Sequence, residues 1–105
     1  MSKTRTVGNP AFDPKDPGEI VHLGFDFSAL TPAPTSPVVT AAHHGGTADA
    51  APSAILSGAP AVSGTTIVQR VAAGVAGANY LLRCQVDTAA GERFILAGVL
   101  PVRTA

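Results

Sequence analysis

Hydrophobic and polar residues alternate most clearly in three stretches of this chain. In residues 19–27, Val21, Leu23, Phe25 and Phe27 share one side while Ile20, His22, Gly24 and Asp26 share the other, the period of two that marks a half-buried strand. From residue 78 onward Tyr80, Leu82, Cys84 and Val86 lie opposite Asn79, Leu81, Arg83, Gln85 and Asp87. The second set is mostly polar, so that face is expected to meet water. Residues 93–102 return with Phe94, Leu96, Leu100 and Val102 on the side of the first set, after a turn at 87–92 in which Gly91 can take positive φ. These two runs predict a C-terminal hairpin. Pro101 lacks a ladder donor and belongs at an edge or near the strand's end.

The remaining segments are read from residue type. TTIVQRVA, residues 65–72, is β-branched and predicts a strand, with Gly74 and Gly77 turning the chain after it. Pro32, Pro34 and Pro37 make residues 28–37 a loop, followed by a short strand at 38–42. Residues 43–61 are poor in large side chains. Ile55 and Leu56 mark a short strand at 54–56, and Pro52 opposes a helix over 47–56.

Residues 1–18 carry Pro10, Pro14 and Pro17, which hold Asp13 and Asp16 extended. They read as an extended N-terminal arm, with a β-sandwich domain over 19–105. Val7 and Phe12, spaced among polar residues, are expected to dock into a neighbour's groove, with Asp13, Pro14, Asp16 and Pro17 as further assembly contacts. Five to seven short strands imply an all-β sandwich or small barrel. Tyr80 placed after Gly77 fits the structural corner of immunoglobulin-like and fibronectin type III-like β-sandwiches, in which a tyrosine hydroxyl bonds backbone a few residues upstream. The Cys-Trp-Cys core of antibody domains is absent.

Composition narrows the function. Of 105 residues 46% are hydrophobic, but much of this is alanine, with no Trp, one Tyr and four Phe, so the core is modest and support from neighbouring subunits is expected. Net charge is zero and 13% of residues are charged, which disfavours nucleic-acid binding. Lys3, Arg5 and Lys15 are as sparse as in an ordinary solvated tail. A lone cysteine, Cys84, excludes an intrachain disulfide and fits a reducing cytoplasm. No apolar run approaches the ~18 residues of a membrane span, and no signal peptide is read. Ile20, Val68, Ile95 and Val99 are apolar on sides expected to be wet, through cover within the sandwich or through subunit contact.

Candidate chemistry is thin. Asp13 and Asp16 fall short of the roughly six to eight convergent oxygens that calcium takes. His43 and His44, in a Gly-flanked loop, would complete a zinc set with His22 and Cys84, yet the spacing lacks close ligand pairs, and Cys84 suits a small buried hydrophobe. No nucleophile motif or phosphate loop is present. No catalytic residue, metal or cofactor is expected, and the chain is not read as an enzyme.

The stretches KDPGEIVHLGFDFSAL and VAAGVAGANYLLRCQVDTAAGERF carry a resemblance. An Asp-Pro motif precedes a strand ending in Asp-aromatic-Ser, here Asp26-Phe27-Ser28. Later comes Gly-x-x-Gly-x-x-Tyr, Gly74 to Tyr80, then Gly91-Glu92-Arg93. Over most of residues 15–102 the chain resembles small bacteriophage virion structural proteins of the fibre-tail adaptor or head-tail type. It departs from them in Phe27, where a Trp is common, and in an Ala/Gly/Pro-rich middle at 32–63. The resemblance implies a non-enzymatic Ig-like building block, present in multiple copies at the head-tail or tail-fibre junction. Its expected partners are other virion proteins and copies of itself as a homo-oligomer, with no nucleic acid and no membrane. Its expected place is the virion, after synthesis in the host bacterial cytoplasm. Alternatives are a capsid decoration or cement protein, and a carbohydrate-binding sandwich, for which the aromatic platforms are missing.

Overall fold

The alternation that predicts the C-terminal hairpin governs the structure. In a computed structural model, which describes residues 4–7 and 12–104, the strands are β1 Thr4–Val7, β2 Val21–Asp26, β3 Thr35–Gly46, β4 Ala61–Ser63, β5 Thr66–Val71, β6 Ala78–Asp87 and β7 Arg93–Pro101. The backbone alone is described for residues 4–7. Tyr80 lies opposite Leu100, Cys84 opposite Leu96 and Val86 opposite Phe94, so the apolar sets of β6 and β7 share a face. Gly91 takes φ 83° in the turn, which the Thr88 N–H closes on the Glu92 carbonyl at 2.9 Å. Pro101 is the last residue of β7.

Two sheets result, in the orders β1-β2-β5-β4 and β3-β6-β7, with every ladder antiparallel except that between β1 and β2. Leu23, Phe25 and Phe27 from β2 and its end, with Ile67 and Val71 from β5, form one core with Tyr80, Leu82, Cys84, Val86 and Leu100 from β6 and β7. All ten are sealed from solvent. Burial at about 25 cal/mol per Å² of apolar area is the main favourable contribution, and these side chains supply most of it.

The middle of the chain differs from its sequence reading. β3 runs for 12 residues, where a loop to residue 37 and a strand at 38–42 were expected. It lies at the edge of its sheet, so Pro37 costs no ladder bond, and the register shifts between Thr35 and Val38, where Ser36 takes φ 51°. His43 and His44 belong to this strand and not to a loop, with a second irregularity between His43 and Gly45. At 54–56 the expected strand is replaced by a 3-10 helix, Pro52–Ile55, which begins with proline because its fixed φ suits a first turn. Leu56 alone bridges to Val71. β4, missed in the sequence, pairs with β5 across a turn at Gly64, whose φ is 63°.

Within the expected N-terminal arm, 1–18, the described residues meet the rest of their own chain. β1 pairs with β2, placing Thr4 beside His22 and Val7 beside Phe25. Phe12, expected in a neighbour's groove, is 5% exposed within its own chain's core, its ring edge-to-face with Phe25 at 5.6 Å. The few large side chains of this sequence explain the difference, since a core short of aromatics gains by recruiting Phe12. The Phe12 N–H donates to the Val99 carbonyl at 2.8 Å, and Lys15 bridges in parallel to Val102. Lys15, read as part of a solvated tail, is fully buried. Its ammonium donates to the Ala73 carbonyl at 2.6 Å and the Asp16 carbonyl at 2.9 Å.

Phe12→Ala is therefore expected to destabilise the isolated chain by about 3–5 kcal/mol, the usual range for a buried Phe. Deleting residues 1–17 is expected to cost more. Urea unfolding of the two variants beside the parent checks both, and an unchanged midpoint for Phe12→Ala would place that ring outside the core.

Candidate functional site

The candidate assembly residues lie on a compact turn. Asp13 and Pro14 are exposed, and Asp16 and Pro17 partly so. The Asp16 carboxylate accepts the Gly18 N–H at 2.8 Å, and the Asp16 carbonyl accepts the Glu19 N–H at 2.9 Å. Glu19 Oε1 in turn accepts the Asp16 N–H at 2.8 Å. These bonds make Asp16 an architect of the turn. Asp and Pro suit such a place because the short carboxylate can reach backbone N–H groups nearby while proline presets φ. The side chain of Val7 lies outside the described residues.

At the start of β6, Tyr80 is enclosed by the core, and its hydroxyl accepts the Val75 N–H at 2.9 Å, five residues upstream. The same hydroxyl donates to Asp49 Oδ2 at 2.6 Å. Asp49 also accepts the Ala51 N–H at 2.9 Å, so one carboxylate ties the start of the 3-10 segment to β6. The Tyr80 hydroxyl, followed by the Ala51 N–H, holds the Asp49 carboxyl below its ordinary value. Burial, followed by the hydrogen bond to Asp49, pushes the Tyr80 phenol up. Gly77, at φ 87°, accepts the Thr47 N–H on its carbonyl and donates to the Val102 carbonyl. An added Cβ at Gly46 would run into that Gly77 carbonyl, so the two glycines allow the backbones to meet. Asp49 escaped the sequence reading because it stands in a stretch without periodicity, 31 residues from its partner.

The residues considered for zinc are dispersed. His22 is on β2 in one sheet, His43 and His44 are on β3 in the other, and Cys84 is sealed in the core. Among the described residues no three His, Cys, Asp or Glu come together. His43 Nε2 instead lies 3.0 Å from the Thr47 carbonyl. Burial pushes the Cys84 thiol up to about 12, which removes its nucleophilic form at neutral pH.

The outer face of the β3-β6-β7 sheet carries exposed apolar side chains. Three cross-strand rows cover it. Val38, Gln85 and Ile95 form one, Thr40, Arg83 and Ala97 the next, and Ala42, Leu81 and Val99 the third. Val38 and Ile95 are 50% and 43% exposed, and together with Thr40, Arg83 and Gln85 they line one shallow hollow. Val99, apolar on a side expected to be wet, is half-buried on this face. Ile20 and Val68 lie with the other sheet, Ile20 51% exposed and Val68 half-buried.

A family model described as podophage GP4 fiber-tail adaptor protein gp77 matches residues 15–100. No match was found among curated proteins or among solved structures.

Tyr80→Phe is expected to cost about 0.5–1.5 kcal/mol, because it takes the acceptor from the half-buried Val75 N–H and the donor from Asp49. The lowered Asp49 carboxyl contributes stability that is full above its ordinary value of 3.8 and is lost as pH falls through its lower folded value. The gap between parent and variant should then narrow in acid, which urea melts at neutral pH and well below 3.8 will show; a gap independent of pH would remove Asp49 from the account. Cys84 is expected to resist a thiol reagent in the folded chain and to react at once in denaturant, read by absorbance.

Proposed function

Because the chain belongs to the family of podophage GP4 fiber-tail adaptor protein gp77, we propose that it acts in multiple copies as the non-enzymatic piece that joins a tail fibre to the particle. Its role is structural, as a protein of the virion. The observation that carries this reading is the family match over residues 15–100, which takes in the Lys15 anchor, β2 to β6, all but the last residue of β7 and the Tyr80 turn.

The architecture agrees with such work. The sheet orders β1-β2-β5-β4 and β3-β6-β7 correspond to the ABED and CFG arrangement of immunoglobulin-like sandwiches, with β1 parallel to β2 as the departure. Tyr80 with its bond to Val75, beside Gly77, takes the part of the corner in this reading. Rigid sandwiches suit an adaptor, since binding then orders few groups and loses little entropy. Copies arranged by symmetry multiply weak contacts. The exposed turn at Asp13, Pro14, Asp16 and Pro17 supplies one such contact. Its prolines and internal hydrogen bonds fix its shape beforehand.

Purified particles are expected to contain the chain at a fixed copy number, located where fibres leave the tail. Quantitative mass spectrometry of washed particles and imaging with an antibody to the chain measure these two properties. Absence from washed particles, or labelling spread over the capsid shell, would sink the adaptor reading.

A further inference from the structure

Resting on the adaptor reading, we propose that the outer face of the β3-β6-β7 sheet docks a different virion protein, with Arg83 receiving an Asp or Glu side chain set among aliphatic residues. Arg83 stands in the middle row of this face, between Thr40 and Ala97, with Leu81 and Gln85 before and after it on the same side of β6. Within the described residues its guanidinium has no ion pair and no hydrogen bond. The other charges at this face are engaged: Asp87 pairs with Arg93 at 2.8 Å at one end, and Arg103 donates to Asn79 Oδ1 at 2.8 Å at the other.

The hollow beside Arg83 defines what fits. Arg83, Gln85 and Thr40 all carry hydrogen-bond donors, and Val38 and Ile95 border them with exposed aliphatic surface. A carboxylate answers those donors, arginine matching it with two parallel N–H bonds, and an aliphatic surround answers Val38 and Ile95. Arginine within an apolar surround is a common anchor of protein interfaces.

Charge also argues against this face meeting its own copy about a two-fold axis. Two copies of this face meeting about a two-fold axis would bring Arg83 towards Arg83, with the Asp87 of each already held by Arg93.

The probe is the particle assembled without this protein, to which the purified full chain is added and its co-sedimentation measured. Arg83→Glu is expected to lower apparent affinity by about tenfold or more, and Arg83→Gln to lower it less. Val62→Asp, an exposed position on β4 in the other sheet, is expected to bind as the parent does. Thermal melts establish that each variant is folded; if Arg83→Glu is not, Arg83→Gln carries the comparison. A photo-crosslinking amino acid at position 95 should join the chain to a different virion protein through a peptide containing Asp or Glu. If the parent fails to bind these particles, the adaptor reading falls and takes this inference with it. If the parent binds and folded Arg83→Glu binds equally well, or if position 95 crosslinks to a second copy, the adaptor reading stands and this inference alone is overturned.

Discussion

The strict two-residue period of β6 is the constraint on which the rest of the molecule depends. One side of the strand puts Tyr80, Leu82, Cys84 and Val86 into the core with no exposure, and every inward position of β7 is set by pairing with them. A slip of one residue would turn Arg83 and Gln85 inward and the core outward, so the register is strongly specified. The same period fixes the outer face. Whatever meets Arg83 is positioned by the packing of Leu82 and Cys84 on the other side of the strand.

A second dependence runs through Tyr80. Its ring is a core residue, while its hydroxyl joins the Val75 turn to Asp49 and so to the segment leading into the 3-10 helix. That segment has little apolar surface of its own beyond Ile55 and Leu56. The phenol therefore fastens the stretch ahead of the helix, while buried Ile55 and the bond from the Ala72 N–H to the Ile55 carbonyl hold the helix itself. The arrangement suits a small core in which polar bonds must supplement limited apolar area.

What the sequence revealed follows this division. β2, β6 and β7 were legible because each buries alternate large side chains, β5 because it is β-branched, and the all-β class followed from them. β3 was seen only in part, since an edge strand with Val39 and Ala41 as its inward residues has a weak alternation, and Pro37 is tolerated there for a reason that depends on the sheet and not on local sequence. β4 has three exposed residues and no apolar signal. Lys15 was misread because charge predicts exposure, and its burial depends on the Ala73 carbonyl 58 residues away, presented by a backbone at φ 55°. The prolines of Asp13 to Pro17 were read as marks of an extended arm and not of the turn that Asp16 closes, while the face around Arg83 was seen only through Ile95 and Val99, two of four scattered apolar positions. Nothing local says that Val38 will stand in the same row as Ile95.

The pairing of the segment around Lys15 with the end of β7 also has a mechanical side. The two run parallel, joined by bonds from Phe12 to Val99, Lys15 to Pro101 and Arg103 to Lys15. Tension pulling the chain outward before Phe12 and after Arg103 acts in opposite directions along these neighbours. It slides one past the other and strains all three bonds together, where an antiparallel pair pulled from its open end would unzip bond by bond. Such a clasp resists a pull on its two outer ends through shear.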